Sequence, residues 1–87
     1  MDNKPPVLIT WMDICSCDAA WMSLEDALEY CPTPIQTLGW IIEDNEEYVV
    51  VVSSYSTEED DRVFGSVCAI PRSVIESVVV LDTRNVC

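Results

Sequence analysis

IQTLGWIIEDNEEYVVVVSSY, residues 35–55, holds two runs of β-branched and aromatic residues on either side of a short acidic break. The four consecutive valines from Val49 to Val52 favour extended structure, because a branched Cβ suits a pleated strand better than a helical turn. The break begins with Asp44 and Asn45, which are frequent where a chain reverses direction. The stretch therefore predicts a β-hairpin.

Upstream of the hairpin, the sequence predicts a strand over residues 7–14 and, after a loop at 15–20, a short helix. Ser23 and Asp26 form a variant of the capping box, so the helix should begin there and end near Tyr30, before the prolines at 32 and 34. Leu24, Ala27, Leu28 and Cys31 recur at helical spacing. A helix this short is unstable alone, so we expect this apolar side to pack on the sheet.

Downstream of the hairpin, the sequence predicts a mobile charged loop at 56–62, a strand at 64–70, a proline-containing single turn at 71–73 and a closing strand at 74–81. Gly39, inside the first strand of the hairpin, predicts a bulge, a bend or the close approach of another backbone, and in a small barrel such a bend lets one strand serve two sides of the sheet. Small SH3-like and Sm-like barrels finish with this order of elements, and the chain resembles them in that respect.

The predicted fold class is α+β, mostly β. We expect a small five-stranded SH3-like barrel, or a strongly bent antiparallel sheet, with one short helix inserted after the first strand. A single domain should span residues 7–82, between a flexible arm at 1–6 and a tail at 83–87.

The net charge bounds the kinds of partner. Sixteen acidic residues against four basic ones give the 87-residue chain a charge of −12, although 49% of its residues are apolar, as in folded proteins. This charge argues against direct binding to nucleic acid, which depends on Lys and Arg. It favours cationic partners and steered association. A solvated acidic surface without a specific partner is the alternative explanation.

No secretory leader or membrane-spanning stretch is predicted. Lys4 is followed by two prolines, and the apolar run after them is far too short for either kind of segment. We therefore expect no membrane association and a cytoplasmic location, in which the five cysteines are reduced.

The cysteines raise the question of a zinc or redox site. The Cys-x-x-Cys spacing of a zinc knuckle is absent, and the chain has no histidine to complete a metal site or to activate a nucleophile. Carboxylates are numerous, but the predicted elements place them in turns and on an exposed helix face rather than in a cleft. We expect no enzyme activity, no cofactor and no metal.

A series of short landmarks extends along most of the chain: Trp11-x-Asp13, Trp21 before Ser23-Leu24-Glu25, Leu38-Gly39-Trp40, and Ile70-Pro71-Arg72 followed by Ile75. The series resembles a loose group of small tailed-bacteriophage proteins that has no assigned activity. The resemblance implies a virus-encoded accessory protein that acts in the cytoplasm of a bacterial host. It carries over no functional residue.

Candidate partner-binding residues are one tryptophan and three acidic groups. Of the three tryptophans, Trp21 is expected to be the most exposed, because it lies between a loop and a helix, while the others supply core packing. The acidic groups are the helix face with Glu25, Asp26 and Glu29, the hairpin turn with Asp44, Glu46 and Glu47, and the loop with Glu58, Glu59, Asp60 and Asp61.

Two functional hypotheses follow. The first is a non-enzymatic protein that binds a host or viral protein, including one whose basic nucleic-acid-binding surface it would block by imitating phosphates. The second is a structural or assembly module that forms a homo-oligomer through an exposed strand edge or apolar face.

Overall fold

The computed structural model describes residues 4–58 and 60–81, which are mostly β-structure. In chain order the elements are β1 (Val7–Asp13), α1 (Leu24–Ala27), β2 (Thr33–Asp44), β3 (Tyr48–Val52), β4 (Ser54–Tyr55), β5 (Phe64–Gly65), β6 (Cys68–Pro71), a 3₁₀ turn (Arg72–Val74) and β7 (Ile75–Val80).

Five of the strands form one antiparallel sheet in the order β6-β3-β2-β1-β7, and β4 pairs with β5 separately. The prediction of a mostly-β fold, with a five-stranded sheet and one short helix after the first strand, is therefore confirmed. The sheet does not close into a barrel, because β6 and β7 are its two edges. The 3₁₀ turn predicted at the proline directly connects these edge strands.

Strand β2 belongs to two parts of the sheet, and the change occurs at Gly39. Residues 33–39 pair with β1, whereas Trp40 to Asp44 pair with β3. Gly39 is buried, and a Cβ built on it would lie 2.2 Å from the carbonyl oxygen of Val52. The predicted role of Gly39 is confirmed, and its physical basis is the close approach of the β3 backbone.

The core lies between the two parts of the bent sheet. Its buried members are apolar residues from β1, β3 and β6: Val7, Ile9, Val49, Val51 and Ile70. Trp11, Ile41, Cys68, Val74 and Ile75 pack against them and are partly buried. Alternate residues of β1 and β3 contribute, as the period of two along a strand requires. With so few buried side chains, each one carries a large share of the stability.

A second contact region lies where Trp40 of β2 pairs with Val52 of β3 and its ring meets Tyr55 of β4. Val52 is fully buried, and the Trp40 and Tyr55 rings meet edge to face with their centroids 5.1 Å apart. The Arg62 guanidinium lies 5.5 Å from the centroid of the Tyr55 ring. Two predicted strands are corrected here. The second strand of the predicted hairpin ends at Val52 instead of continuing to residue 55, and the strand predicted at 64–70 is divided into β5 and β6.

The loop at 56–62 is closed at its base. The Ser56 N–H donates to the Val63 carbonyl at 2.9 Å, and the Val63 N–H donates to Ser56 Oγ at 3.0 Å. Its mobility stays a prediction. Residues 1–3 of the predicted arm at 1–6, residue 59, residue 82 and the predicted tail at 83–87 lie outside the described residues.

The helix begins where predicted but does not pack on the sheet. Ser23 Oγ accepts a hydrogen bond from the Asp26 N–H at 3.1 Å, so the cap is confirmed. The helix ends after one turn, and every residue from 14 to 34 is exposed, including Leu24 and Leu28 at 75% and 74%. The prediction that Leu24, Ala27, Leu28 and Cys31 pack on the sheet is therefore wrong.

Strand pairing explains why the helix is left out of the core. Asp13, at the end of β1, pairs with Thr33, at the start of β2, so the chain between them leaves and re-enters at the same end of the sheet. The chain between these two residues therefore does not pack across either face of the sheet. The molecule is accordingly elongated, at 53 × 30 × 28 Å, with a radius of gyration of 17.1 Å, against about 12 Å for a compact domain of this length.

Arg72 fastens the 3₁₀ turn to the β2–β3 turn. Its side-chain Nε donates to the Asn45 carbonyl at 2.6 Å, and its guanidinium pairs with the Asp44 carboxylate. Its backbone N–H donates to the Glu47 carbonyl at 2.9 Å. We expect Arg72→Ala to lower the free energy of unfolding by about 1–2 kcal/mol, because the charge-assisted bond to Asn45 is lost. Urea denaturation measures this change.

The matched control for Arg72→Ala is Asp44→Asn, which removes the ion pair but keeps the bond to Asn45. We expect it to cost less than about 0.5 kcal/mol, since ion pairs of exposed side chains contribute little. Equal losses in the two variants would contradict this account of Arg72.

Candidate interaction surface

The segment between β1 and β2, residues 14–32, carries six of the fourteen large apolar side chains that are exposed among the described residues. We call it the β1–β2 excursion. Its large apolar members and their exposed fractions are Ile14 83%, Trp21 91%, Met22 39%, Leu24 75%, Leu28 74% and Tyr30 42%. Six such side chains within one segment make it a candidate interaction site, because large exposed apolar patches mark such sites.

The charge of the excursion has one sign. Asp18, Glu25, Asp26 and Glu29 are its ionisable carboxylates, and it contains no Lys or Arg. Two of the three predicted helix acids, Glu25 and Asp26, lie in the first turn of α1, where negative charge is favourable. The excursion therefore combines an apolar surface with acidic side chains.

Trp21 is the most exposed tryptophan, as predicted from its position between a loop and the helix. The other two are half-buried. Trp11 packs against the core and donates from Nε1 to Thr37 Oγ1 at 3.0 Å, and Trp40 packs on Tyr55. Only Trp21 is free to supply the large contact area by which tryptophans dominate binding sites.

A thiol–phenol contact joins the two limbs of the excursion. The hydroxyl of Tyr30 hydrogen-bonds the Cys17 sulfur and lowers the pKa of that thiol, helped by the Ala19 N–H, which lies 3.5 Å from the sulfur. In turn, the same hydrogen bond and the charge of the Cys17 thiolate raise the pKa of Tyr30. Residues near the start and the end of the excursion are thus in contact.

We expect Tyr30→Phe to slow the alkylation of Cys17 by iodoacetamide at neutral pH. Loss of the hydroxyl raises the pKa of Cys17, so a smaller fraction of the thiol is the reactive thiolate. The difference should disappear at high pH, where the thiolate is fully formed in both proteins. Peptide mass spectrometry over a pH series measures it, and equal rates at neutral pH would contradict the contact.

The second acidic group, Asp44, Glu46 and Glu47, lies on the β2–β3 turn. Asn45 Oδ1 accepts hydrogen bonds from the N–H groups of Glu47 and Tyr48, both at 2.9 Å, which fixes the turn. Asp44 is paired with Arg72, so part of this negative charge is neutralised within the chain. A depression of about 400 Å³ borders the turn and is open to solvent.

The third acidic group lies on the loop between β4 and β5. Glu58, Asp60 and Asp61 are exposed there, and Glu59 lies outside the described residues. This loop follows β3 at the end opposite to the β2–β3 turn. Strand β3 has five residues, which corresponds to about 17 Å.

The three acidic groups are distributed along the strands rather than gathered at one place. The excursion and the β2–β3 turn lie at opposite ends of the twelve-residue strand β2, which corresponds to about 40 Å along the bent strand. No hydrogen bond or ion pair described for the chain joins one group to another. The excursion carries six exposed large apolar side chains, whereas Tyr48 adjoins the second group and Val63 and Phe64 adjoin the third.

Strand β7 is a second exposed apolar feature, which the sequence predicted as a strand but not as an open edge. Val78, Val79 and Val80 are 40%, 50% and 62% exposed. Val79 pairs with Leu8, which pairs with Leu38, so three apolar residues form a row on the face of the sheet away from the core. Long apolar edges are sites of strand addition.

Among residues 4–58 and 60–81, no group of three or more Cys, Asp or Glu side chains is arranged to hold a metal ion. Within the same ranges, no helix has the length and apolar character needed to span a bilayer. No protein-family model matches the chain, and no curated protein or solved structure matches it either.

Proposed function

We propose that the protein is a non-enzymatic interaction module. Its β1–β2 excursion inserts into an apolar groove with a basic rim on the surface of a partner protein. One observation carries the proposal: Trp21, Leu24 and Leu28 are at least 74% exposed in a segment whose only charges are negative. The fold does not use these side chains. Their exposure is explained if they are buried by another molecule.

The free energy gained by burying these side chains supports the assignment of the excursion as the binding element. Burying a leucine side chain contributes about 1.5–3 kcal/mol, and tryptophan is the residue most enriched at binding hot spots. Three such side chains offset the cost of ordering a segment and joining two molecules. The acidic side chains around them select against acidic partners and accelerate association with basic ones.

Partners with a basic surface include nucleic-acid-handling proteins. Phosphate imitation needs carboxylates at regular spacing on one rigid surface, and the three acidic groups lie on separate loops. We therefore assign the recognition to the excursion, while the acids of the β2–β3 turn and of the 56–62 loop steer the encounter. A partner whose basic surface binds nucleic acid would then be blocked because the excursion occupies that surface.

The resemblance to small tailed-bacteriophage proteins supplies a setting for the proposal. In that setting the chain is a viral accessory protein that binds a host or viral protein in the cytoplasm of a bacterial host. The strand order, with a 3₁₀ turn before the last strand, supports the further proposal that the sheet is an opened form of an SH3-like barrel.

The test is affinity capture from bacterial lysate with two matched variants. The first combines Trp21→Ser, Leu24→Ser and Leu28→Ser, and the second combines Glu58→Ser, Asp60→Ser and Asp61→Ser. We expect the first to abolish capture of a basic protein without changing the melting temperature. The second should weaken capture only at low salt, because exposed charges act through a screened field. Capture that survives the first variant would overturn the proposal.

A second candidate function, assembly of a homo-oligomer, is favoured by the exposed valines of β7. Two copies of this edge can pair antiparallel about a two-fold axis at Val78, which places Glu76 opposite Val80 and keeps the two glutamates apart. Because each chain carries a charge of −12, self-association should strengthen with salt.

Sedimentation at low and high salt tests the assembly. A dimer that forms at high salt and is lost in Val79→Lys would support pairing through β7, since a charge on the edge opposes it. A monomer at every salt concentration would exclude it.

A further inference from the structure

The pairing of β1 with β2 brings two cysteines to the same end of the sheet. The ladder extends without a shift from Val7↔Gly39 to its last pair, Asp13↔Thr33. Cys15 and Cys31 each lie two residues beyond this last pair, just outside the two strands. Both thiols are free and exposed.

The two limbs of the excursion also meet beyond the last pair of the ladder. Tyr30, next to Cys31, hydrogen-bonds Cys17, two residues after Cys15. The chains therefore stay close on both sides of the Cys15–Cys31 position. Paired residues on antiparallel strands, such as Asp13 and Thr33, have Cα atoms about 4.5–5.5 Å apart, and a disulfide two residues further along requires a Cα separation of about 4.4–6.8 Å.

We propose that Cys15 and Cys31 form a disulfide that closes the base of the β1–β2 excursion under oxidising conditions. The excursion is joined to the sheet only by its two ends, so the bond would meet little resistance from packed side chains. Residues 16–30, including Trp21, Leu24 and Leu28, would then form a closed loop.

The reaction is a thiol–disulfide exchange with a small disulfide such as oxidised glutathione. The Cys15 thiolate attacks one glutathione sulfur and expels the other as a thiolate. The Cys31 thiolate then attacks the Cys15 sulfur of the mixed disulfide and expels the second glutathione. The two cysteines lose two electrons and two protons, and oxidised glutathione gains them to become two molecules of glutathione.

The disulfide has a consequence that rests on the proposed function. A closed loop has fewer conformations than an open one, so less ordering is needed when the excursion enters a groove. The oxidised protein should therefore capture the partner more strongly than the reduced one. The bond itself can be tested without any partner.

The experiment uses the full chain with Cys87→Ser, so that the terminal thiol cannot take part, after incubation with oxidised glutathione. A protease that cleaves after glutamate cuts at Glu25 and Glu29, which separates Cys15 and Cys17 from Cys31. Peptide mass spectrometry without reduction should find residues 1–25 linked to residues 30–43. Absence of this linked pair overturns the proposal.

Two further variants determine which thiol is used. Because Cys15 and Cys17 are both exposed, neither replacement should affect folding. The link should be retained in Cys17→Ser and lost in Cys15→Ser. A link that persists in Cys15→Ser, or that disappears in Cys17→Ser, assigns the bond to Cys17 and overturns the proposed pair. If the link forms as expected but capture is equal in both redox states, the disulfide stands and the expected gain in capture on oxidation is wrong.

Discussion

Gly39→Ala should lower the free energy of unfolding by about 3 kcal/mol or prevent folding, because a backbone rather than a side chain must move. The added Cβ would lie 2.2 Å from the Val52 carbonyl oxygen and 2.9 Å from its carbon. To relieve this steric overlap, β3 must separate from β2 at the position where β2 changes partners. Urea denaturation followed by tryptophan fluorescence measures the loss.

Gly65→Ala is the matched control, since Gly65 is the other glycine of the chain. Its added Cβ would lie 2.4 Å from Ser54 Oγ, the end of a side chain on a two-residue strand. That hydroxyl can rotate away, so we expect a loss below about 1 kcal/mol. Losses of similar size at the two glycines would contradict the role assigned to Gly39.

Ile9→Ala should lower the free energy of unfolding by about 2–5 kcal/mol, the range for removing a fully buried isoleucine side chain. Ile9 has no exposed surface and belongs to the cluster of five buried apolar residues found among the described residues. A small domain has little stability in reserve, so the variant should be partly unfolded at moderate temperature. Urea denaturation gives both the midpoint concentration and the slope of the unfolding free energy against urea concentration. A lower midpoint with an unchanged slope indicates lost stability, whereas a changed slope indicates a changed unfolded state.

Leu38→Ala provides the comparison for Ile9→Ala in the same sheet. Leu38 is 54% exposed on the face away from the core, and we expect its removal to cost less than about 1 kcal/mol. If Leu38→Ala were as damaging as Ile9→Ala, the face of the sheet that forms the core would be assigned wrongly.

The strands and the bend were predictable because their causes are local. Runs of β-branched residues define β1, β3 and β7, and the proline at 71 marks the turn between β6 and β7. Gly39 stands between Leu38 and Trp40, two large residues, where a missing side chain points to a close backbone contact. The cap at Ser23 is also a local feature, and it is present although the helix has only one turn.

The helix packing failed because periodicity shows only that a face is apolar, not what covers it. Leu24 and Leu28 have the spacing of a packed face, yet the register of Asp13 with Thr33 keeps their segment off the sheet. The β4–β5 pair was missed for a related reason. Two-residue strands carry no period, and their pairing depends on the backbone around Ser53 and Gly65.

The candidate site was predicted in its parts but not in its arrangement. Trp21 was expected to be exposed from its place in the sequence, and the acidic residues were visible as groups. Their distances depend on strand length and pairing, which separate the β2–β3 turn from the excursion. The proposal that Cys15 bonds to Cys31 likewise depends on the register, which brings the two ends of the excursion to the same end of the sheet.

Site-specific photo-crosslinking in bacterial lysate tests most directly whether the excursion is the binding element. One protein carries Trp21→p-benzoylphenylalanine and a second carries the same residue at Val79, both on exposed positions. We predict a salt-sensitive crosslink from position 21 to a basic protein and none to that protein from position 79. A crosslink to the basic protein from position 79 alone, or a crosslink between two copies of the chain without one from position 21, would contradict the account.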